Sequence, residues 1–162
     1  MNANLQSQLQ DCTNELLDIE QKINSLSVFD KTKIYLTNYA LIKACGTIEF
    51  VYRSIVADFF AGSSFSQIHT YLDNTVRKGS MSATYPNMCS LLGKFDDSWK
   101  TNFKAAVESH PDKNKMISSA NSLVNNRHTF AHGRVPTATF QDIHSYYNDV
   151  LIMVALFDSV VI

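Results

Sequence analysis

At 162 residues with a formal net charge of −1, the chain is long enough for one domain around one core, and its overall field will not draw it onto nucleic acid, so any such binding must come from a local patch. A hydrophobic content of 45 % with only 5 Gly and 3 Pro excludes a disordered chain. The three cysteines, Cys12, Cys45 and Cys89, have no CxxC spacing, which excludes a disulfide scaffold; Cys12 and Cys45 fall on apolar stripes and read as reduced core thiols.

The N-terminus, Met-Asn-Ala-Asn-Leu-Gln, has neither a basic stretch nor an apolar one and does not read as a signal peptide. Leu5, Leu9, Cys12, Leu16, Ile19, Ile23 and Leu26 then alternate in steps of four and three. This heptad seam predicts a helix over residues 4–27, serving either an antiparallel neighbour within a bundle or a coiled coil between chains. Asp30 caps a longer helix reaching about residue 61, with Ile34, Leu41, Cys45, Ile48, Tyr52, Ile55 and Phe59 as its main stripe. Beside the stripe runs a line of Ile42, Gly46, Glu49, Arg53, Val56 and Phe60. Gly46 costs roughly 1 kcal/mol against Ala inside a helix, and close approach of another helix is the expected reason for it. Glu49 either pairs with Arg53 one turn on, for roughly a few tenths of a kcal/mol, or reaches a buried arginine elsewhere.

Gly62-Ser63-Ser64 breaks the pattern, and Ser64 with Gln67 forms a capping box for a third helix ending near Lys78 and Gly79. His69 on its polar face reads as structural. Residues 79–87, with Pro86, read as a loop, and 88–95 as a short apolar segment of one or two helical turns. Asp96 or Asp97 opens a helix over 97–109 carrying Trp99, Phe103 and Val107, the acid pair serving the helix N-terminus rather than a metal.

His110-Pro111 turns the chain into a helix over residues 112–131, with an apolar stripe of Met116, Ala120, Leu123, Val124 and Ala131. Arg127 falls on that stripe, where packing alone would choose another Leu. His128 and His132 share a second face with Asn121 and Asn125, and Asn competes poorly in a helix interior. The eight residues from Arg127 to Arg134 hold two Arg and two His, the best local cationic candidate. Gly133 supplies the stop and Pro136 prevents an early restart. Thr139 with Asp142 begins a last helix that is apolar on most sides from Tyr146 onward, so it is either central or shared with another subunit. The longest apolar run, 150–157, is too short to span a bilayer, and a soluble cytoplasmic protein without membrane contact is expected. No strand pattern or repeat is visible. The expectation is all-α: an up-and-down bundle of long antiparallel helices in one domain over 1–162, with the heptad helix (1–29) on a core of 30–162.

Arg127-His128-Thr129-Phe130-Ala131-His132 resembles the Arg-x4–6-His motif of the HEPN superfamily, in the Arg-His-x-x-Ala-His-Gly form of its bacterial ribonuclease branches. The context is similar over residues 30–162, because the motif ends a long helix and one more long helix follows. The resemblance implies a HEPN-like bundle acting as a metal-independent endoribonuclease at a two-fold homodimer interface. It further implies a toxin or phage-defence effector silenced by a cognate antitoxin protein. Cleavage of RNA by its own 2′-hydroxyl needs a base, an acid and a cation for the pentavalent phosphate. Arg127 would clamp that phosphate with its planar fork, and His132, at the negative end of a helix dipole, suits the acid. His128, Asn125 and Arg134 would orient groups or contact RNA, and Glu49, where it reaches Arg127, would hold the guanidinium. No cofactor is implied.

His128 and His132 also have the spacing of two helical zinc ligands. Thr129, however, stands where the His-Glu-x-x-His motif needs its Glu, and no third ligand has motif spacing, though His144, Asp142 and Glu49 are available; no metal site is expected. The heptad helix and residues 79–108 depart from the family pattern and receive no role. A second reading is a non-catalytic helical module for dimerisation or partner binding. Such a module has no physical need for both Arg127 and His132.

Overall fold

Asn2 turns its side-chain oxygen onto the Leu5 N–H at 3.0 Å, starting the first of seven α-helices among the described residues. They are α1 (Ala3–Ser25), α2 (Thr32–Phe59), α3 (Ser66–Leu72), α4 (Tyr85–Gly93), α5 (Asp97–Ser109), α6 (Lys113–Ala131) and α7 (Phe140–Val160). The computed structural model describes residues 1–62 and 65–162, and among these no strand forms. The expected all-α bundle is what the chain builds. No helix among the described residues is long and apolar enough to cross a membrane.

The heptad seam of α1 is spent inside the molecule. Leu5, Cys12, Leu16, Ile19 and Ile23 are buried against α2, and Tyr147 of α7 donates its hydroxyl to the Leu9 carbonyl at 3.0 Å. The N-terminal amine meets Asp158 at 2.6 Å and Asn2 meets Asp58 at 2.7 Å, so α1 runs antiparallel to both α2 and α7. Asp30 accepts the Thr32 N–H at 2.8 Å, satisfying a free donor at the start of α2. Leu41, Cys45, Ile48, Tyr52 and Ile55 are buried as expected, but Ile34 (57 % exposed) and Phe59 (46 % exposed) are not. With 28 residues, α2 is longer than α1 (23) or α7 (21), and the ends of its stripe stay uncovered. Gly46 is also corrected. It is exposed, and a Cβ built there meets nothing within 4 Å, so no helix among the described residues approaches it closely.

The capping box expected from Ser64 and Gln67 lies outside the described residues. After α3, Asp73–Arg77 forms one π-helical turn. Pro86 does not sit in a loop but in the first turn of α4, where a residue lacking an N–H strands no hydrogen bond; Thr84 caps the helix by accepting the Asn87 N–H at 3.4 Å. Asp96 caps α5 through Ser98 and Trp99 at 2.6 and 3.2 Å. The capping box of Thr139 and Asp142 at α7 is present in both directions.

Helix α7 is the central one. Phe140, Ile143, Tyr147, Val150, Met153, Val154 and Phe157 are all buried, each worth about 1.5–3 kcal/mol for the largest of them. Phe157 meets Tyr52 and Phe103 edge-on, at ring separations of 5.7 and 5.5 Å, joining α2, α5 and α7. Between α6 and α7, buried Asp149 accepts from Ser119 at 2.7 Å and from Lys115 at 2.8 Å. All three cysteines are buried and free.

Candidate active site

The last two turns of α6 carry the chemistry. Met116, Ala120, Leu123 and Val124 hold the helix in the core, but Ala131, expected on the same stripe, is exposed. The helix leaves the bundle before that residue is reached. Arg127 sits where the stripe emerges, with its side chain 25 % exposed, and its Nη2 donates to Glu49 Oε1 at 2.6 Å. Of the two partners open to Glu49, the distant one is therefore taken. The Glu49 side chain is only 16 % exposed, so the pair is mostly out of water. Arg127 Nε is buried without a hydrogen bond among the described residues. One nitrogen of the fork is thus committed to Glu49, and among the described residues no other group saturates the rest.

Cys45, one turn before Glu49, donates its thiol to the Leu123 carbonyl at 3.5 Å. Burial pushes this thiol up to about 12, and the neighbouring Glu49 carboxylate adds to the shift. Cys45 is packing, and no nucleophile.

His128 and His132 are both exposed and stack with ring centres 6.3 Å apart and planes 16° apart. Asn125 is exposed on the same side, with its carbonyl accepting the Thr129 hydroxyl at 2.9 Å. Among the described residues no hydrogen bond joins Arg127 to either imidazole, and Arg134 is exposed beyond the helix end. The structure therefore joins Glu49 to Arg127 and His128 to His132, as two adjoining halves. His132 is the last cap of α6. Gly133 follows at φ +70°, the Gly133 N–H reaches Phe130 O at 2.9 Å and the Arg134 N–H reaches Thr129 O at 3.0 Å. This left-handed stop explains the glycine.

Asn126 was not singled out from the sequence, yet it sets the path beyond the motif. Its side-chain oxygen accepts the N–H groups of Thr137 and Ala138 at 2.9 and 3.0 Å, and its nitrogen donates to Ser122 O at 2.9 Å. The only signal available was an Asn in a helix interior, a feature noticed at 121 and 125 but not at 126. Regarding the zinc alternative, Asp142 is engaged by Thr139 and Glu49 by Arg127. No three His, Cys, Asp or Glu side chains come together among the described residues.

No curated protein and no solved structure matches this chain. The RiboL-PSP-HEPN family model matches it over residues 7–162. That span takes in most of α1 and the whole of 79–108, both of which the sequence reading placed outside the family pattern. An all-α bundle, a motif helix followed by one long final helix, and a match over nearly the full length agree: the chain belongs to the RiboL-PSP-HEPN family.

Proposed function

We propose that the protein is a metal-independent endoribonuclease whose working site is completed by a second copy of the chain. HEPN domains are generally associated with ribonucleases, and the observation that carries the reading here is the Arg127–Glu49 pair. A mostly buried ion pair contributes little net stability compared with apolar side chains of similar size, so its presence at the exit of a core stripe favours a functional origin. Glu49 fixes the guanidinium, and the uncommitted donors of the fork meet the phosphate as it becomes pentavalent. The 2′-hydroxyl attacks phosphorus, the 5′-oxygen leaves, and a 2′,3′-cyclic phosphate remains. One imidazole accepts the hydroxyl proton while another delivers a proton to the leaving oxygen. With a dyad beside the motif, His132 and the partner subunit's His132 serve these two roles, and His128, Asn125 and Arg134 contact the strand.

A face suited to such a dyad exists. Tyr35 (68 % exposed), Tyr39 (49 %) and Ile42 (40 %) share one side of α2 with exposed Gly46, in steps of four, three and four that lead to Glu49. On α6, Phe130 is 38 % exposed. An apolar stripe with a bare glycine suits close helix packing, and among the described residues nothing comes within 4 Å of a Cβ built at Gly46, which supports a second copy as its occupant. The same face would serve a non-catalytic binding module, or the antitoxin that silences a toxin or phage-defence effector.

Cleavage of a mixed RNA pool in EDTA separates these readings. The native protein is expected to leave 2′,3′-cyclic phosphate ends. His132→Ala should lose about 10²–10⁴-fold in rate, and Arg127→Lys, which keeps the charge without the fork, should lose most activity. Full activity in His132→Ala overturns the site assignment. No cleavage by an intact native dimer moves the function to a binding module.

A further inference from the structure

Residues 79–108 gain a role from where the fold puts their cations. Two surface cavities, of about 510 and 560 Å³, flank α4 and share Lys94 as a common wall. The first is lined by Arg53 of α2, the π turn through Thr75 and Val76, and the loop at 79–81. The second is lined by Lys100 and Lys104 of α5. Four cations thus line the two cavities, and neither lining contains an Asp or Glu. In a chain of net charge −1 this is a segregated patch rather than a general excess.

Nor are these cations used internally. Among the described residues no carboxylate pairs with Arg53, Lys94, Lys100 or Lys104, whereas Arg77, Lys43, Lys113 and Lys115 each have one. Arg53 Nε is buried and without a hydrogen bond. Aromatic side chains line the same walls: Tyr71 and Phe95 in the first cavity, Tyr85 in the second. The groove is also a built feature. Tyr52 donates to Met81 O at 2.8 Å, and Asn87 to Ser82 O at 3.0 Å, fixing the loop wall. A Cβ at Gly93 would come within 2.8 Å of the Lys100 side chain, so the glycine leaves room for that stem to lie across α4.

We propose that this groove binds single-stranded RNA and carries the strand away from the cleavage site. Cations that track a backbone, interleaved with rings on which bases stack, are the physical requirements for an unpaired strand. The path also points the right way. Arg53 is four residues beyond Glu49 on α2, about 6 Å along the axis, and Glu49 holds the motif arginine. The proposal rests on the ribonuclease reading for its substrate, but its test does not depend on cleavage.

The test measures fluorescence anisotropy of a labelled 2′-O-methyl oligouridine, which cannot supply the attacking hydroxyl, against salt concentration. The full-length proteins compared are native, His132→Ala, a Lys94→Gln, Lys100→Gln, Lys104→Gln triple variant, and the same three positions changed to Arg. His132→Ala, which leaves the groove cations in place, should lose less affinity than the Gln variant. The Gln variant should bind at least tenfold more weakly, with the slope of log affinity against log salt reduced by about two, at roughly 0.7 per charge lost. The Arg variant should retain binding, and unfolding curves of all four report any damage to the fold. Unchanged affinity and slope in the Gln variant overturn the groove assignment, as does absence of binding by the native protein. Failure of cleavage with groove-dependent binding intact overturns the nuclease reading alone.

Discussion

Replacing Glu49 with Leu leaves the Arg127 guanidinium three-quarters buried with its one fixed acceptor removed. Breaking a fully buried pair costs about 3–5 kcal/mol, and breaking an exposed one about 0–1. Side-chain exposures of 25 % and 16 % place this pair between the limits, so Glu49→Leu should lose about 2 kcal/mol, or about 4–8 °C in Tm for a chain of this size. The informative variant is the double one, Glu49→Leu with Arg127→Leu. Both positions flank a core stripe containing Ile48, Leu123 and Val124, so two apolar side chains should restore stability to within about 1 kcal/mol of native while abolishing RNA cleavage. Urea denaturation of the four proteins gives the cycle directly. A double variant as unstable as the sum of the single ones would show that the pair holds the fold together, and the functional argument drawn from it would fail.

Asn126→Ala strands the N–H groups of Thr137 and Ala138; it should cost about 1–3 kcal/mol and speed amide exchange over 134–138 ahead of the rest of the chain, as read by hydrogen–deuterium exchange. Gly133→Ala forces an L side chain into the left-handed region at φ +70° and should cost about 1–2 kcal/mol, measured by thermal unfolding. The hydrogen bond from Lys43, then that from Tyr39, hold the Glu15 carboxyl below its usual range. That stabilisation is complete above the unfolded value of about 4.3 and disappears as pH falls through the lower folded value. Glu15→Gln should therefore flatten the acid limb of the stability profile in that window and leave its shape at pH 6 to 8 unchanged. Cys45, with its thiol pushed up to about 12 by burial, should resist iodoacetamide at pH 8 in the native state and react in urea, as counted by mass spectrometry.

Local signals carried most of the fold. The seam of α1, the cap at Asp96 and the capping box at Thr139 each depend on residues within a turn or two, and each formed as read. The misreadings were of context. Pro86 signals a break unless it occupies a first turn, and the Thr84 cap that decides this comes two residues earlier. Gly46 suggested a neighbouring helix, but among the described residues nothing comes within 4 Å of a Cβ placed there. At the site, an arginine on a core stripe announced that it needed an anion. It did not say which, because Glu49 lies 78 residues away and Arg53 competed for it on paper. The groove beside α4 was invisible for the same reason, since its cations come from α2, α5 and the turn after α4 and are never adjacent in sequence.

The Asp149 contacts act as a ratchet stop. Sliding α6 along α7 by half a turn, about 2.7 Å, would pull both Ser119 and Lys115 away from a carboxylate that is only 6 % exposed, and a full turn would return only one of these two donors, because they lie four residues apart on the helix. Axial slippage of the motif helix is therefore opposed by a buried carboxylate that would lose a donor. Arg127 and His132 ride on that helix at a fixed height above the central one. Control of the site by movement along this axis would work against the Asp149 contacts, whereas assembly, separation or covering of the exposed ends leaves them intact.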